Sequence, residues 1–403
     1  MLPFVAMWFL GFLFHEMAFG LLSIFLPLYV VNALGGSLTD VGIMIAVANF
    51  MAVPFSFFWG YLCDRTRRYR LFILVSFAGM SLLFYMFSLT SNVWLLIVLY
   101  GLISVFHVAH EAPRNVLIAE YYSREDWERS FASYEGLTEV GWLAGLVLGL
   151  IFSGVGLPNV WFILFVSLLN LVAFVASLFL IRDPLFIFER RLVAIEKVFS
   201  FAHRGLAVAS RAFEGARITE SLKGESVMLF CVGLLVFSFA TNMLFTPLPL
   251  FFANDFGLTQ SVVFVVFIFN TLGTTTGYFL AGARAEITDE KGVIKRANLL
   301  RALLSLVFVA VAVSPSIFIL PLAVLILIVM GLVFGFFWIS SLSLSMELIP
   351  EGKAGLFYAL VGLGAAFGCF LGTFIAESFG FPILFGAVSV GFFVSYLAFK
   401  TYA

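Results

Sequence analysis

Charge is scarce in this chain. Asp, Glu, Lys and Arg make up 11% of its 403 residues, where soluble domains carry about 25%. That shortage, with 63% of residues apolar, excludes a soluble globular protein. Cysteine is scarcer still: Cys63, Cys231 and Cys369 stand far apart, in no CxxC or other ligand-like spacing, so neither a disulfide framework nor a zinc site is expected. Strict alternation of apolar and polar residues is missing, which argues against a lipid-embedded barrel. No glycine-rich phosphate-binding loop is present, so the chain by itself is not expected to be driven by ATP. No basic patch suits a nucleic acid. Nor is there a nucleophile-and-base constellation, so no catalytic residue, cofactor or metal is expected, and the chain is not read as an enzyme.

What is there is apolar sequence in long runs, each near the ~20 residues that cross a bilayer's ~30 Å hydrocarbon core. Twelve spans are read, at about 4–31, 39–62, 71–89, 93–118, 131–154, 158–181, 226–253, 260–283, 298–314, 317–340, 354–376 and 382–399. The first run is too long for a signal-peptide core and is expected to be the first span. Turn signals such as Gly35-Gly36-Ser37, Gly156-Leu157-Pro158 and Gly380-Phe381-Pro382 separate the runs.

The cations are segregated. All 22 Lys and Arg fall in alternate loops or the adjoining helix ends, at 65–70, 114–129, 182–223, 284–301, Lys353 and Lys400. The intervening loops carry none. The positive-inside rule then places both termini in the cytoplasm of a cell carrying the protein in its cytoplasmic membrane. The longest polar break, 182–225, mixes charges with Leu, Val, Ile and Phe, and is expected to lie as an amphipathic cytoplasmic linker on the membrane surface. It divides an N-terminal bundle, 1–181, from a C-terminal bundle, 226–403.

The two halves repeat each other. Leu26-Pro27-Leu28-Tyr29 through Gly35 aligns with Leu248-Pro249-Leu250-Phe251 through Gly257, and each is followed by Leu-Thr, at Leu38-Thr39 and Leu258-Thr259. Gly141, Gly145 and Gly149 match Gly364, Gly368 and Gly372 at constant offset. A six-plus-six duplication is expected. The fold class is therefore an all-α polytopic membrane protein of twelve transmembrane helices in two pseudo-symmetric six-helix bundles.

Between the second and third spans stands Gly60-Tyr61-Leu62-Cys63-Asp64-Arg65-Thr66-Arg67-Arg68-Tyr69-Arg70. Its spacing, G-x-x-x-D-R-x-x-R-R-x-R, resembles the signature loop between helices two and three of the major facilitator superfamily. Gly60, Asp64, Arg65, Arg68 and Arg70 fit, while Arg67 occupies a slot that the family usually fills with glycine. With the twelve spans, the repeat and the long central loop, the resemblance covers the whole chain. It implies alternating access, with Asp64 and the arginines clamping the cytoplasmic ends of the halves in an outward-facing state. Simple topology setting is the other reading of those arginines. The resemblance also places helices one, four, seven and ten around a central cavity.

Polar groups inside spans are costly and mark function by default. The first span holds His15 and Glu16. The fourth holds His107, His110, Glu111 and Arg114, a spacing expected to form one helical stripe. The fifth holds Glu135 near its end and Glu139 deeper, expected beside Glu111. By resemblance Glu16, His107, Glu111 and Arg114 line the cavity. The set reads as a proton-titratable cluster, because burial disfavours an ionised carboxylate and a neighbouring His or Arg favours it. The structural alternative for Glu111 and Arg114 is an ion pair stitching helices together. The second half looks poor in buried charge, with Asn242 its cavity candidate. The 52 phenylalanines are expected mainly as lipid-facing surface. Gly141, Gly145 and Gly149 permit close helix packing; they resemble the family's fifth-helix glycine motif but lack its Gly-Pro step.

The expected function is proton-coupled secondary transport of a small organic solute by a monomer in the bilayer, leaning to export of amphipathic or drug-like compounds. Uptake by symport is the alternative, and a non-transporting sensor or lipid-handling protein a further one.

Overall fold

The computed structural model describes residues 7–121, 127–183, 227–283, 289–313, 316, 318–348 and 355–402. The expected linker at 182–225 lies almost wholly outside them. Among the described residues no strand occurs, and twelve helices are long and apolar enough to cross a membrane. They are α1 (Phe9–Ala33), α2 (Leu38–Cys63), α3 (Tyr69–Ser88), α4 (Val93–Ile118), α5 (Ser133–Val155), α6 (Asn159–Leu180), α7 (Val227–Asp255), α8 (Gln260–Ala283), α9 (Glu290–Val313), α10 (Leu320–Ser345), α11 (Phe357–Phe379) and α12 (Phe381–Tyr402). The protein is a multi-pass membrane protein.

Local chemistry sets the helix ends. Ser37 and Asp40 form a reciprocal capping box at the start of α2, with Asp40 N–H donating to Ser37 Oγ at 3.0 Å and Ser37 N–H to Asp40 Oδ2 at 2.8 Å. Asn92 Oδ1 accepts from Leu95 N–H at 3.1 Å and caps α4. The ninth span begins at Glu290, not near 298: Lys291, Lys295 and Arg296 extend the helix beyond its apolar part rather than ending it.

The repeat in sequence is a repeat in structure. Both Leu-Pro-Leu segments run into a π-helical turn, Tyr29–Ala33 and Phe251–Asp255. Each turn closes with an N–H donating five residues back, Leu34 to Tyr29 O at 3.1 Å and Phe256 to Phe251 O at 3.2 Å. Each is followed by a glycine with positive φ, Gly35 at 68° and Gly257 at 66°. Packing repeats as well. α1 packs on α5 and α6, α2 on α4, and α3 on α4 and α6; six helices later α7 packs on α11 and α12, α8 on α10, and α9 on α10 and α12. A side chain at Gly145 would strike the carbonyl of Met17, and one at Gly368 that of Phe239, so each glycine lets its helix meet the first helix of its own half at backbone distance.

The halves join along two related seams, α2 with α11 and α5 with α8. At the cation-free end Glu377 of α11 caps the start of α2, accepting from Thr39 N–H at 2.7 Å and Thr39 Oγ1 at 2.5 Å. The equivalent asparagines of the two π turns, Asn32 and Asn254, line one groove at that end, with Asn159 and Gln260. Among the described phenylalanines more are buried than exposed, which corrects the lipid-facing expectation: Phe12, Phe77, Phe162, Phe237 and Phe251 fill the contacts between helices.

Candidate functional site

The fourth span is not a single stripe. A 3-10 turn, Val108–His110, interrupts α4 between His107 and Glu111 and tightens the helix there. His107 and His110 therefore turn toward α1 and α3, while Glu111 and Arg114 turn toward α5 and the second half.

On the second side Arg114 donates to Tyr358 Oη of α11 at 3.4 Å and to Asn115 Oδ1 at 3.2 Å. Its guanidinium sits 5.2 Å from the Tyr134 ring centroid, within cation–π range. The Glu111–Arg114 ion pair is thus not formed: Arg114 spans from α4 to the other half. Close packing of α5 on α1 brings Glu16 against Gly141, where an added Cβ would lie 3.2 Å from Glu16 Cβ. Glu139 lies one helical turn beyond Glu135 and feels the charges of Glu16 and Glu135. Glu135, placed by the sequence near the end of the fifth span, is half-buried and interacts electrostatically with Arg114, Glu16 and Glu111. Tyr278 of α8 shares the field of Glu139, Glu135 and Glu16.

Glu16, Glu111, Glu135 and Glu139 are each half-buried, and among the described residues none has a hydrogen bond or ion pair through its carboxylate. Four carboxyl groups and one guanidinium thus lie half-buried on α1, α4 and α5, with Arg114 reaching Tyr358 of α11. Polar groups inside spans can hold protons or a cationic solute.

The first side is a triangle of imidazoles. His15, His107 and His110 have ring centroids 4.9–5.1 Å apart. One potential ligand nitrogen from each lies within 4.8 Å of the others. This group is not legible in the sequence, because His15 is 92 residues from His107 and the two meet only through their side chains in the folded bundle.

Asn242 is elsewhere. Its Nδ2 donates to Ser238 O at 2.9 Å, and its Oδ1 faces Cys369 Sγ at 3.8 Å, in a polar node on the α2–α11 seam that also holds Thr246 and Asn49. In the signature loop, the Asp64 side chain lies outside the described residues. Arg65 is exposed and donates to Tyr61 Oη at 3.3 Å; Arg68 is exposed, and Gly60 has open space around it. Arg70 ties α3 to the end of α6 through Leu178 O, and its N–H donates to Asp183 Oδ1 at 2.8 Å. Arg67 adopts the left-handed conformation, φ 55°, that ends the helix.

Arg301 was counted in the sequence among the cations of the loops and adjoining helix ends. It lies within α9, fully buried, with none of its guanidinium nitrogens hydrogen-bonded among the described residues. Its guanidinium is 4.7 Å from the Phe392 ring, 5.0 Å from Phe237, 5.4 Å from Phe334 and 5.7 Å from Phe245. The second half therefore does hold a buried charge. The missed signal was Asn298, three residues before it on the same helical face.

Comparison with known proteins places these features. Residues 8–362 match the family model described as Major Facilitator Superfamily. Over 144 residues, 36% of the chain, it is 28% identical to an uncharacterized MFS-type transporter, YqjV, of Bacillus subtilis, covering 35% of that protein. Over 193 residues, 45% of the chain, it is 28% identical to the multidrug resistance protein MdtG of Klebsiella pneumoniae, covering 45% of it. The chain thus matches less than half the length of either relative. The fold superposes on the crystal structure of the nucleoside transporter NupG (D323A mutant) with a TM-score of 0.76 at 14% identity, over 99% of this chain and 100% of that one. With its family model spanning most of the sequence and its twelve helices matching a transporter of that fold end to end, the chain belongs to the major facilitator superfamily.

Proposed function

We propose that this transporter works by proton-coupled alternating access, exporting small amphipathic organic solutes across the cytoplasmic membrane as a monomer with both termini in the cytoplasm. The observation that carries the reading is the pair of α5 carboxylates, Glu135 and Glu139, half-buried and unpaired among the described residues, on a helix that packs against the other half. A carboxyl group there can take a proton from one side and, once the halves have rocked, lose it to the other. The cationic solute or the proton, not both, neutralises it, which couples the two movements. Arg114, held between Tyr134 and Tyr358, ties the state of α4 and α5 to that of α11. The segregated cations support the orientation, and the Klebsiella relative is a multidrug resistance protein.

The test has two steps. Purified protein is screened by thermal shift against amphipathic cations, organic anions and nucleosides. The solute giving the largest shift is then followed in proteoliposomes under an imposed pH gradient. Expected is movement of the solute against the direction of proton flow. Accumulation in the same direction as the protons would replace export by symport.

A further inference from the structure

We propose that His15, His107 and His110 form a resident site for one divalent transition-metal ion of the zinc class, inside the first half and independent of the transport reading. The argument begins with tautomers. Asn170 Nδ2 donates to Val166 O at 2.9 Å, so its amide orientation is fixed and Oδ1 is left as an acceptor. His15 Nδ1 lies 2.9 Å from that oxygen and must carry the proton. His15 Nε2 is then a bare lone pair, and it points at His107, whose Nδ1 is 3.2 Å away. His110 Nδ1 lies 3.1 Å from Ser76 Oγ, a hydroxyl that can accept its proton and so leave Nε2 bare. Two of the three rings thus have one nitrogen engaged by a neighbour on another helix. This is the outer-shell arrangement that metal-ligating histidines show, in which a second hydrogen bond fixes ring and tautomer.

Distance and surroundings agree. Imidazole–zinc bonds of about 2.0–2.1 Å place the nitrogens of a tetrahedral site about 3.3 Å apart. One pair already stands at 3.2 Å, and the whole set lies within 4.8 Å, so small ring rotations close it. His15 and His110 are buried and walled by Phe12, Phe19 and Phe77. His107 is only half-buried, which leaves an entry and a fourth position for water. Three imidazoles without thiolate or carboxylate select ions of the zinc, cobalt, nickel and copper group over magnesium or calcium. Arg114, the cation whose field reaches all three rings, is itself faced by Glu111 and Glu135. Its repulsion of a dication is therefore offset. A bound ion would fasten α1 to α4 at the point where the 3-10 turn interrupts α4.

The test uses full-length protein in detergent, carrying a tag without histidines and stripped with chelator. Titration with Co2+ is expected to give one ion per chain, the visible absorption of a low-symmetry nitrogen site, and bleaching by Zn2+. His107→Gln, on the least buried ring, is expected to weaken Co2+ binding at least tenfold. X-ray absorption at the zinc edge of wild-type protein is expected to show imidazole scattering, and this readout needs no variant to fold. Failure of the wild type to take up one equivalent overturns the proposal. So does a first shell without imidazole, or a well-folded His107→Gln variant that binds Co2+ as tightly as the wild type.

Discussion

The two halves share one frame and fill it with opposite chemistry. In the first half, α1, α3, α4 and α6 enclose His15, Ser76, His107, His110 and Asn170, a polar core whose hydrogen bonds run from helix to helix. In the second half, the equivalent helices α7, α9, α10 and α12 enclose Phe237, Phe245, Phe334 and Phe392 around the single cation Arg301. The backbone geometry is set by features that both halves keep: the π turns, the positive-φ glycines and the small-residue seams. The interior is free to diverge because it need only be filled and satisfied. The frame occurs twice, whereas Glu16, Glu111, Glu135 and Glu139, unpaired among the described residues, all belong to the first half.

The largest effect should come from the frame. Gly145→Val and Gly368→Val each force a side chain into a facing carbonyl. Both should lose monodisperse protein in size-exclusion chromatography, a cost above ~3 kcal/mol as overpacking against backbone. One half tolerating the change would break the equivalence of the seams.

The cores should then respond in opposite directions. Arg301→Met removes a buried cation with no hydrogen bond among the described residues. It should raise thermal stability, since replacing buried charge by apolar volume is neutral to stabilising by about 1–4 kcal/mol. His15→Met breaks the hydrogen bonds to Asn170 and His107, and should lower stability by about 1–3 kcal/mol because buried partners are left unsatisfied. Equal signs in a melting experiment would erase the contrast drawn here.

Smaller effects sharpen the ends of the molecule. Glu377→Ala deletes the bonds that join α11 to α2 at the cation-free end. As the group is exposed, about 1 kcal/mol is expected. Hydrogen–deuterium exchange should rise at the start of α2 and leave the α5–α8 seam unchanged; exchange rising equally at both would mean the two seams open together. Arg67→Gly relieves a left-handed residue, worth about 1 kcal/mol, and should raise the melting temperature slightly. A fall would mean that the Arg67 side chain contributes more than its backbone costs.

Much of this was legible in the sequence because it depends on local pattern. Span length, cation segregation and the Leu-Pro-Leu and glycine repeats are periodic or positional signals, and the fold follows from them. The site was only half legible. Glu16, Glu111, Arg114 and Glu139 stood out as polar residues in apolar helices, but their partners did not. Helical periodicity assumed an unbroken fourth helix and so merged two faces that a 3-10 turn separates. Asn170, Ser76 and Tyr358 are ordinary residues in their own helices and become partners only through packing across 34 to 244 positions. The depth of Arg301 was not legible because a charge in the first turn of an apolar span reads as an interface residue until the helix is known to start at Glu290.

Coupling of protons to solute movement by the α5 carboxylates is measured by comparing wild type with Glu139→Gln in proteoliposomes. Solute exchange at equal pH and solute movement driven by a pH gradient are followed in the same vesicles. The variant is expected to keep exchange and to lose gradient-driven movement by tenfold or more. Gradient-driven movement equal to the wild type would remove Glu139 from the coupling.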